Sequence, residues 1–217
     1  MEQITLNLLF ALIVIAVIAM VIGYTLGHFR QVVVENRGEA AIRRELTRNF
    51  GNSKHHLLNN VTLPFEDGTT QIDHILVSRV GVFVVESKHY TGWIFGDANS
   101  PKWTQVIYRT KHKFQNPLHQ NAKHVRAVQQ LLNFIPPEHV HSLVVFTGNA
   151  EFKTACPNGV VGIRGLVNYI TSFKSDVMTE NRMQFCVGRL ECCRRLISRR
   201  TDVEHHAYLE RKFGQAN

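Results

Sequence analysis

A chain of 217 residues with an apolar N-terminal stretch leaves roughly 180 residues for folding, enough for one domain with a substantial core and too few for a second. The formal charge of +8 at pH 7 calls for an acidic partner, nucleic acid or anionic lipid, without choosing between them. Cys156, Cys186, Cys192 and Cys193 show no Cys-x-x-Cys pairing, which argues against a zinc module or a disulfide scaffold and for free thiols in a reducing compartment.

No charged residue lies between Glu2 and His28, and Ile4 to Leu26 is apolar almost throughout. Roughly 20 such residues cross a bilayer. The start, Met1-Glu2-Gln3, lacks the basic opening of a cleavable signal, whose apolar region is also shorter, about 7 to 15 residues. Arg30, Arg37, Arg43, Arg44 and Arg48 all follow the span and none precedes it. The expectation is a single transmembrane helix over residues 4–27 in the inner (cytoplasmic) membrane, N-terminus outside, with everything after a 28–37 linker in the cytoplasm. The same arginines can meet anionic lipid, at about 1 kcal/mol each near the surface, so part of the positive charge needs no nucleic acid.

Beyond the linker, Gly38 to Phe50 reads as a helix, with Ile42, Leu46 and Phe50 at four-residue spacing and Glu39 on the same inward face. Leu57 to Leu63 and Thr70 to Val77 read as strands around a Glu66-Asp67-Gly68 turn, and Ser78 to Gly81 closes a hairpin into Val82 to His89. A strand over Val106 to Thr110 leads to Asn116-Pro117, where Asn suits a helix N-cap and Pro its first position, for a helix reaching about Phe134. Ser142 to Thr147 and Val160 to Ile163 are apolar enough to be buried strands. Helices follow over Leu166 to Phe173, Thr179 to Ile197 and Asp202 to Phe213, the last opened by a Thr201/Glu204 capping box. This order implies an α/β layer structure with a mixed sheet.

The residues with chemistry to offer sit on two of these strands. In Val82-Phe83-Val84-Val85-Glu86-Ser87-Lys88 the side chains alternate, so Glu86 and Lys88 emerge together on one face. Asp73, within Gln71-Ile72-Asp73-His74-Ile75, is flanked by apolar residues, where an ionised carboxylate needs a cation or donors. Two carboxylates on adjacent strands suit Mg²⁺ (or Mn²⁺), which keeps several waters and needs few protein ligands. Lys88 is then placed to position water and face charge developing on a phosphorane, while Glu39 can hold a second ion or the water. The plainer alternative is an ion pair on a strand for Glu86 and Lys88, and a hydrogen-bonding role near a turn for Asp73.

Gly38-Glu39, Gln71-Ile72-Asp73-His74, Gly81 to Lys88, Gly92-Trp93-Ile94-Phe95-Gly96, Trp103 and Asn116-Pro117-x-x-Gln120 resemble, in order and spacing, the NERD (nuclease-related) family. The resemblance covers roughly Gly38 to Phe152. It implies a domain over residues 38–152, with 153–217 completing or flanking it, and a restriction-endonuclease-like core of one mixed central sheet flanked by helices, because the family is regarded as a branch of the PD-(D/E)XK nuclease superfamily. It also implies Asp73, Glu86 and Lys88 as the core motif, Glu39 as the acid of the first helix and Gln120 as the polar residue of the next helix. A C-terminal zinc ribbon, present in some members, is ruled out by the missing Cys pairs.

From Ala98 to Pro137 there is no Asp or Glu, while Lys102, Arg109, Lys111, Lys113, Lys123 and Arg126 occur with Trp103, Tyr108 and Phe114 between them. Such a stretch can track a phosphate backbone, and an exposed ring in it can stack on a base. The leading expectation is a membrane-anchored, Mg²⁺-dependent nuclease acting on DNA. The alternatives are an inactive nucleic-acid-binding module and a membrane-tethered interaction protein.

Overall fold

The computed structural model describes residues 14–20 and 36–195. The chain divides into two units at Glu35–Asn36. Of the first, residues 14–20 are helical, with Val14, Ile15, Val17, Ile18 and Met20 exposed. Most of the expected 4–27 span lies outside the described residues, and among the described residues no helix is long and apolar enough to cross a membrane. The expected helix over Asp202 to Phe213 also lies outside them.

The second unit is mixed α/β. A five-stranded sheet is ordered β1 (His55–Phe65), β2 (Gly68–Ser78), β3 (Gly81–His89), β7 (Val140–Thr147), β9 (Val160–Gly162). Neighbours are antiparallel from β1 to β3 and parallel from β3 through β7 to β9. A parallel pair cannot be closed by a tight turn, so the chain between β3 and β7 must make a long crossover, which carries a second sheet and a helix.

Each face of the first sheet is sealed by helices whose apolar spacing matches it. Val82 and Val84 of β3, with Ile75 and Val77 of β2, pack beneath α2 (Pro117–Leu131) and α4 (Glu180–Cys193) through Val128, Met183, Cys186 and Leu190. Phe83 and Val85, on the other face, meet Ile42, Leu46 and Phe50 of α1 (Arg37–Phe50) and Leu166 and Ile170 of α3 (Leu166–Thr171). Because β9, α3 and α4 are built into this core, residues 153–195 are part of the same unit. Gly38 is where α1 passes closest to the sheet: a Cβ there would sit 2.6 Å from Thr147 Oγ1 and 3.0 Å from His89 Cβ, so no larger residue fits.

The sequence-based reading holds for the first sheet and stops at its carboxyl edge. A second, four-stranded sheet is ordered β6 (Thr110–Gln115), β5 (Lys102–Ile107), β4 (Gly92–Phe95), β8 (Ala150–Phe152). The single strand expected over Val106 to Thr110 is corrected to a hairpin that turns at Tyr108-Arg109, where Ile107 pairs with Thr110. That turn carries no Gly, Asn or Pro, and Tyr108 supplies the positive φ of 53° itself. α2 likewise ends at Leu131 rather than Phe134, and α4 at Cys193.

The second sheet is anchored by its inner face. Ile94 and Trp103 pack on Val144, Phe146 and Val160 of the first sheet. Trp103, 1% exposed, lies against a glycine of necessity, since a Cβ on Gly96 would fall 2.2 Å from its ring. Asn116 ties the assembly to α2: its Nδ2 donates to the carbonyls of Asp97, Ala98 and Ser100 at 3.2, 3.2 and 2.7 Å, while its Oδ1 accepts from Leu118 N as the N-cap. Asn116→Ala removes the cap and the amide that ties down the 97–100 loop, so it should cost about 1–3 kcal/mol in urea-induced unfolding; a shift below about 0.5 kcal/mol would mean the loop is held by other contacts.

Candidate active site

Asp73 lies just beyond the paired part of β2 and β3, whose ladder runs from Ser78↔Gly81 to His74↔Val85. Its side chain takes over where the backbone pairing ends: Oδ2 accepts from both Ser87 N and Ser87 Oγ at 2.7 Å. Across β1, Asn60 adopts a positive φ of 50°, another departure from regular pairing at this level. Glu86 and Lys88 follow Val84 at two-residue spacing and so turn to the face under α2, and Asp73 stands close enough for the Glu86 and Lys88 charges to act on its carboxyl.

Glu86 is 3% exposed and is engaged at both oxygens. Lys88 Nζ donates to Oε1 at 2.6 Å and to Gln120 Oε1 at 2.9 Å. The His124 ring reaches the other oxygen, its Nε2 standing 3.2 Å from Glu86 Oε2, close enough for charge pairing though not aligned as a hydrogen bond. His124 Nδ1 lies 2.7 Å from Thr70 Oγ1, which fixes the ring from its far side. Gln120 and His124 stand four residues apart on α2 and so share one helical face. Between them Asn121 locks the helix to the sheet, donating to Val84 O at 3.0 Å and Ser142 Oγ at 2.8 Å.

The two carboxylates differ in proton affinity. Burial pushes the Asp73 carboxyl up to about 6 and the neighbouring Glu86 charge adds to the rise, against the Ser87 hydrogen bonds and Lys88. Burial opposes ionisation of Glu86 too, but the His124 ring and the Lys88 ammonium outweigh it and hold that carboxyl below its ordinary value. A proton arriving at the pair goes to Asp73.

Four of the five residues singled out from the sequence are thus brought together: Asp73, Glu86, Lys88 and Gln120. The fifth is Glu39. It sits partly buried in the first turn of α1, the helix that covers the opposite face, and among the described residues no three His, Cys, Asp or Glu side chains are gathered to hold a metal. The residue that sequence reasoning missed is His124. Its four-residue spacing from Gln120, on a helix phased by Asn116-Pro117, was the available signal.

The donor set suits a hard cation. Both hydrogen bonds to Asp73 among the described residues fall on Oδ2, and burial with the Glu86 charge raises its proton affinity in spite of Lys88. Oxygen donors from Asp73 and Glu86 match what Mg²⁺ accepts when water fills its remaining positions.

The pattern of the nuclease-related domain family, NERD, matches residues 35–147, which contain every residue of this cluster. The chain belongs to the NERD family. An uncharacterized protein of Bacillus anthracis is 33% identical over 183 residues, covering 82% of this chain and 84% of that protein. No solved structure matches the chain. The family's description, nuclease-related, agrees with a site of paired carboxylates and a lysine.

The direction of the Asp73 shift sets a stability test. Because the folded carboxyl holds its proton to about 6 against an ordinary 3.8, stability falls as pH rises between those values, and the penalty is complete above about 6. Asp73→Asn keeps an acceptor for Ser87 and removes the charge, so in EDTA it should stabilise the NERD domain by about 1–3 kcal/mol near pH 7.5, less as pH falls below 6. Urea unfolding at two pH values checks this, and a destabilised variant at the higher pH would make Asp73 a structural residue.

Proposed function

We propose that this NERD protein is a phosphodiesterase that cleaves DNA at the cytoplasmic face of the inner membrane, dependent on Mg²⁺ or Mn²⁺ and tethered by a single helix over residues 4–27. The observation that carries the reading is the placement of Lys88: a mostly buried ammonium held between Glu86 and Gln120, with a second carboxylate, Asp73, near enough for both charges to act on it.

Lys88 has three donor hydrogens and spends two on Glu86 and Gln120. The third is available to a water or a phosphate oxygen, and its positive charge stabilises the charge that grows on phosphorus as the new P–O bond forms. Gln120 aims the ammonium, and His124 with Thr70 keeps Glu86 in place. Asp73 and Glu86 would hold the metal ion, which when bound supplies Lewis-acid polarisation of the phosphoryl oxygen and lowers the pKa of a water. Ionised Asp73 is the form that binds a cation, so cleavage should fall as pH drops through about 6.

The test is cleavage of plasmid and single-stranded DNA by the full-length chain with Mg²⁺ or Mn²⁺. Asp73→Asn should abolish cutting, and Lys88→Ala should slow it by about 10²–10³-fold. A second reading, a module that binds nucleic acid without cutting it, is favoured by the engagement of both Glu86 oxygens by Lys88 and His124, as in a purely structural ion network. Folded wild-type protein that binds metal and DNA yet releases no product would decide for that module. For the tether, the chain should sediment with membranes and be freed by removal of residues 1–29; a soluble full-length protein would overturn it.

A further inference from the structure

The outer face of the second sheet is built unlike a protected edge. Register places two rows across its strands: Trp93 opposite Val106 opposite Lys111, and Phe95 opposite Thr104 opposite Lys113. Trp93 is 49% exposed and Phe95 37%, although both belong to an inner strand of the sheet, while Ile94 between them is fully buried. Lysines on β6 alone would be explained by edge protection against strand pairing. Open aromatic rings on β4 are not.

The hairpin tip shows the same character. Tyr108 is 98% exposed and adopts φ 53°. A left-handed conformation costs a non-glycine residue roughly 1 kcal/mol, and this ring recovers nothing by burial. Arg109 follows it at the tip, and Lys102, Lys111 and Lys113 flank it on β5 and β6. On this face the acid is Glu151 of β8, paired to Lys153, whose Nζ lies 4.8 Å from the centre of the Trp93 ring. A base stacking on that ring would displace the Lys153 ammonium, which is then free to meet a phosphate.

We infer that this face, with Trp93, Phe95 and Tyr108 as stacking rings and Lys102, Lys111 and Lys113 as the phosphate track, is a platform for single-stranded nucleic acid. Two considerations select an unpaired strand. Trp93 and Phe95 are two positions apart on one strand, about 6.6 Å, twice the rise of about 3.4 Å in a stacked strand, so bases resting on both must be pulled apart. A duplex also keeps its base faces covered, so open rings have no base face to stack on. Lys111 and Lys113 lie two strands away, about 10 Å, with Lys102 on the strand between, leaving the bases over the rings and the backbone beside the lysines.

The platform rests on the reading of the chain as a nucleic-acid-processing protein, and it lies within reach of the site. Gly92, the first residue of β4, is four residues past Lys88, at most about 14 Å of chain. The strand that leaves the lysine of the candidate site becomes the strand that presents the rings.

Binding can be tested without cleavage, in EDTA, using the full-length chain and a fluorescent oligothymidylate of about 15 nucleotides, with a duplex and an oligouridylate of equal length beside it. Stacking on a ring is worth about 1–3 kcal/mol per base, so Trp93→Ala should weaken single-strand binding roughly 5- to 150-fold and Trp93→Phe much less. Lys111→Glu with Lys113→Glu, both exposed, should weaken it and flatten its salt dependence. Oligothymidylate should quench Trp93 emission, a signal absent in Trp93→Phe, whereas the buried Trp103 stays silent. Wild-type affinity in folded Trp93→Ala, or equal competition by the duplex, would overturn the platform. Cleavage that survives with no platform effect leaves the nuclease standing; platform binding with no cleavage leaves the platform and removes the nuclease. The uridylate arm separates RNA from DNA as the strand bound.

Discussion

Placing a carboxylate at Glu86, 3% exposed in the middle of a sheet, is the constraint around which this half of the domain is organised. An ion withdrawn from water costs several kcal/mol unless charges and donors replace the solvent. Here the replacement comes from two directions: Lys88 from the same strand, and His124 from α2 across the face. The helix can deliver His124 and Gln120 only if its rotation and height over the sheet are fixed, and Asn121 and Asn116 fix them by hydrogen bonds to backbone carbonyls on either side. The polar residues buried along α2 form one device, from the N-cap to the Thr70–His124 contact.

The second sheet is built in the connection that leaves β3 close to the Glu86 carboxylate. β3 pairs with β7 in parallel as far as His89↔Thr147, so the chain must leave the sheet just past Lys88 and return by a long crossover. The crossover solves this by turning off the sheet at Tyr90 and building β4 to β6 before entering α2, so the helix arrives with its N-terminus pinned to the 97–100 loop. Trp103 and Gly96, far from the carboxylates in role, set the distance between the second sheet and Phe146.

How much of this was legible depends on how each residue's role is encoded. Strand alternation put Glu86 and Lys88 together, and helical spacing put Ile42, Leu46 and Phe50 on the core, because both follow from backbone geometry alone. The Asn116-Pro117 start of α2 was equally direct, its cap chemistry being local. The second sheet was not legible: β4 and β8 have four and three residues, too short for periodicity to register, and the β5–β6 turn uses Tyr108 where turn residues are normally small. For Glu39, spacing to Ile42 fixes a helix face, whereas the sheet face that the helix covers is set by packing that spacing does not encode. His124 was hidden for the converse reason, since a helical histidine among basic residues looks solvated until the carboxylate opposite it is known.

Asp73 is where the proposed metal site and a structural ion network differ in what they require. In a structural network every charge has a partner, and each carboxylate is held below its ordinary proton affinity, as Glu86 is. Asp73 goes the other way: burial and the Glu86 charge raise it to about 6 in spite of two hydrogen bonds from Ser87. The protein has provided donors for one of its oxygens and a neighbouring negative charge, which is a poor arrangement for stability and a suitable one for a divalent cation. A positive charge entering there relieves the repulsion between the carboxylates and turns the penalty on Asp73 into binding free energy. Lys88 acts on Asp73 through its charge, while its hydrogen bonds go to Glu86 and Gln120.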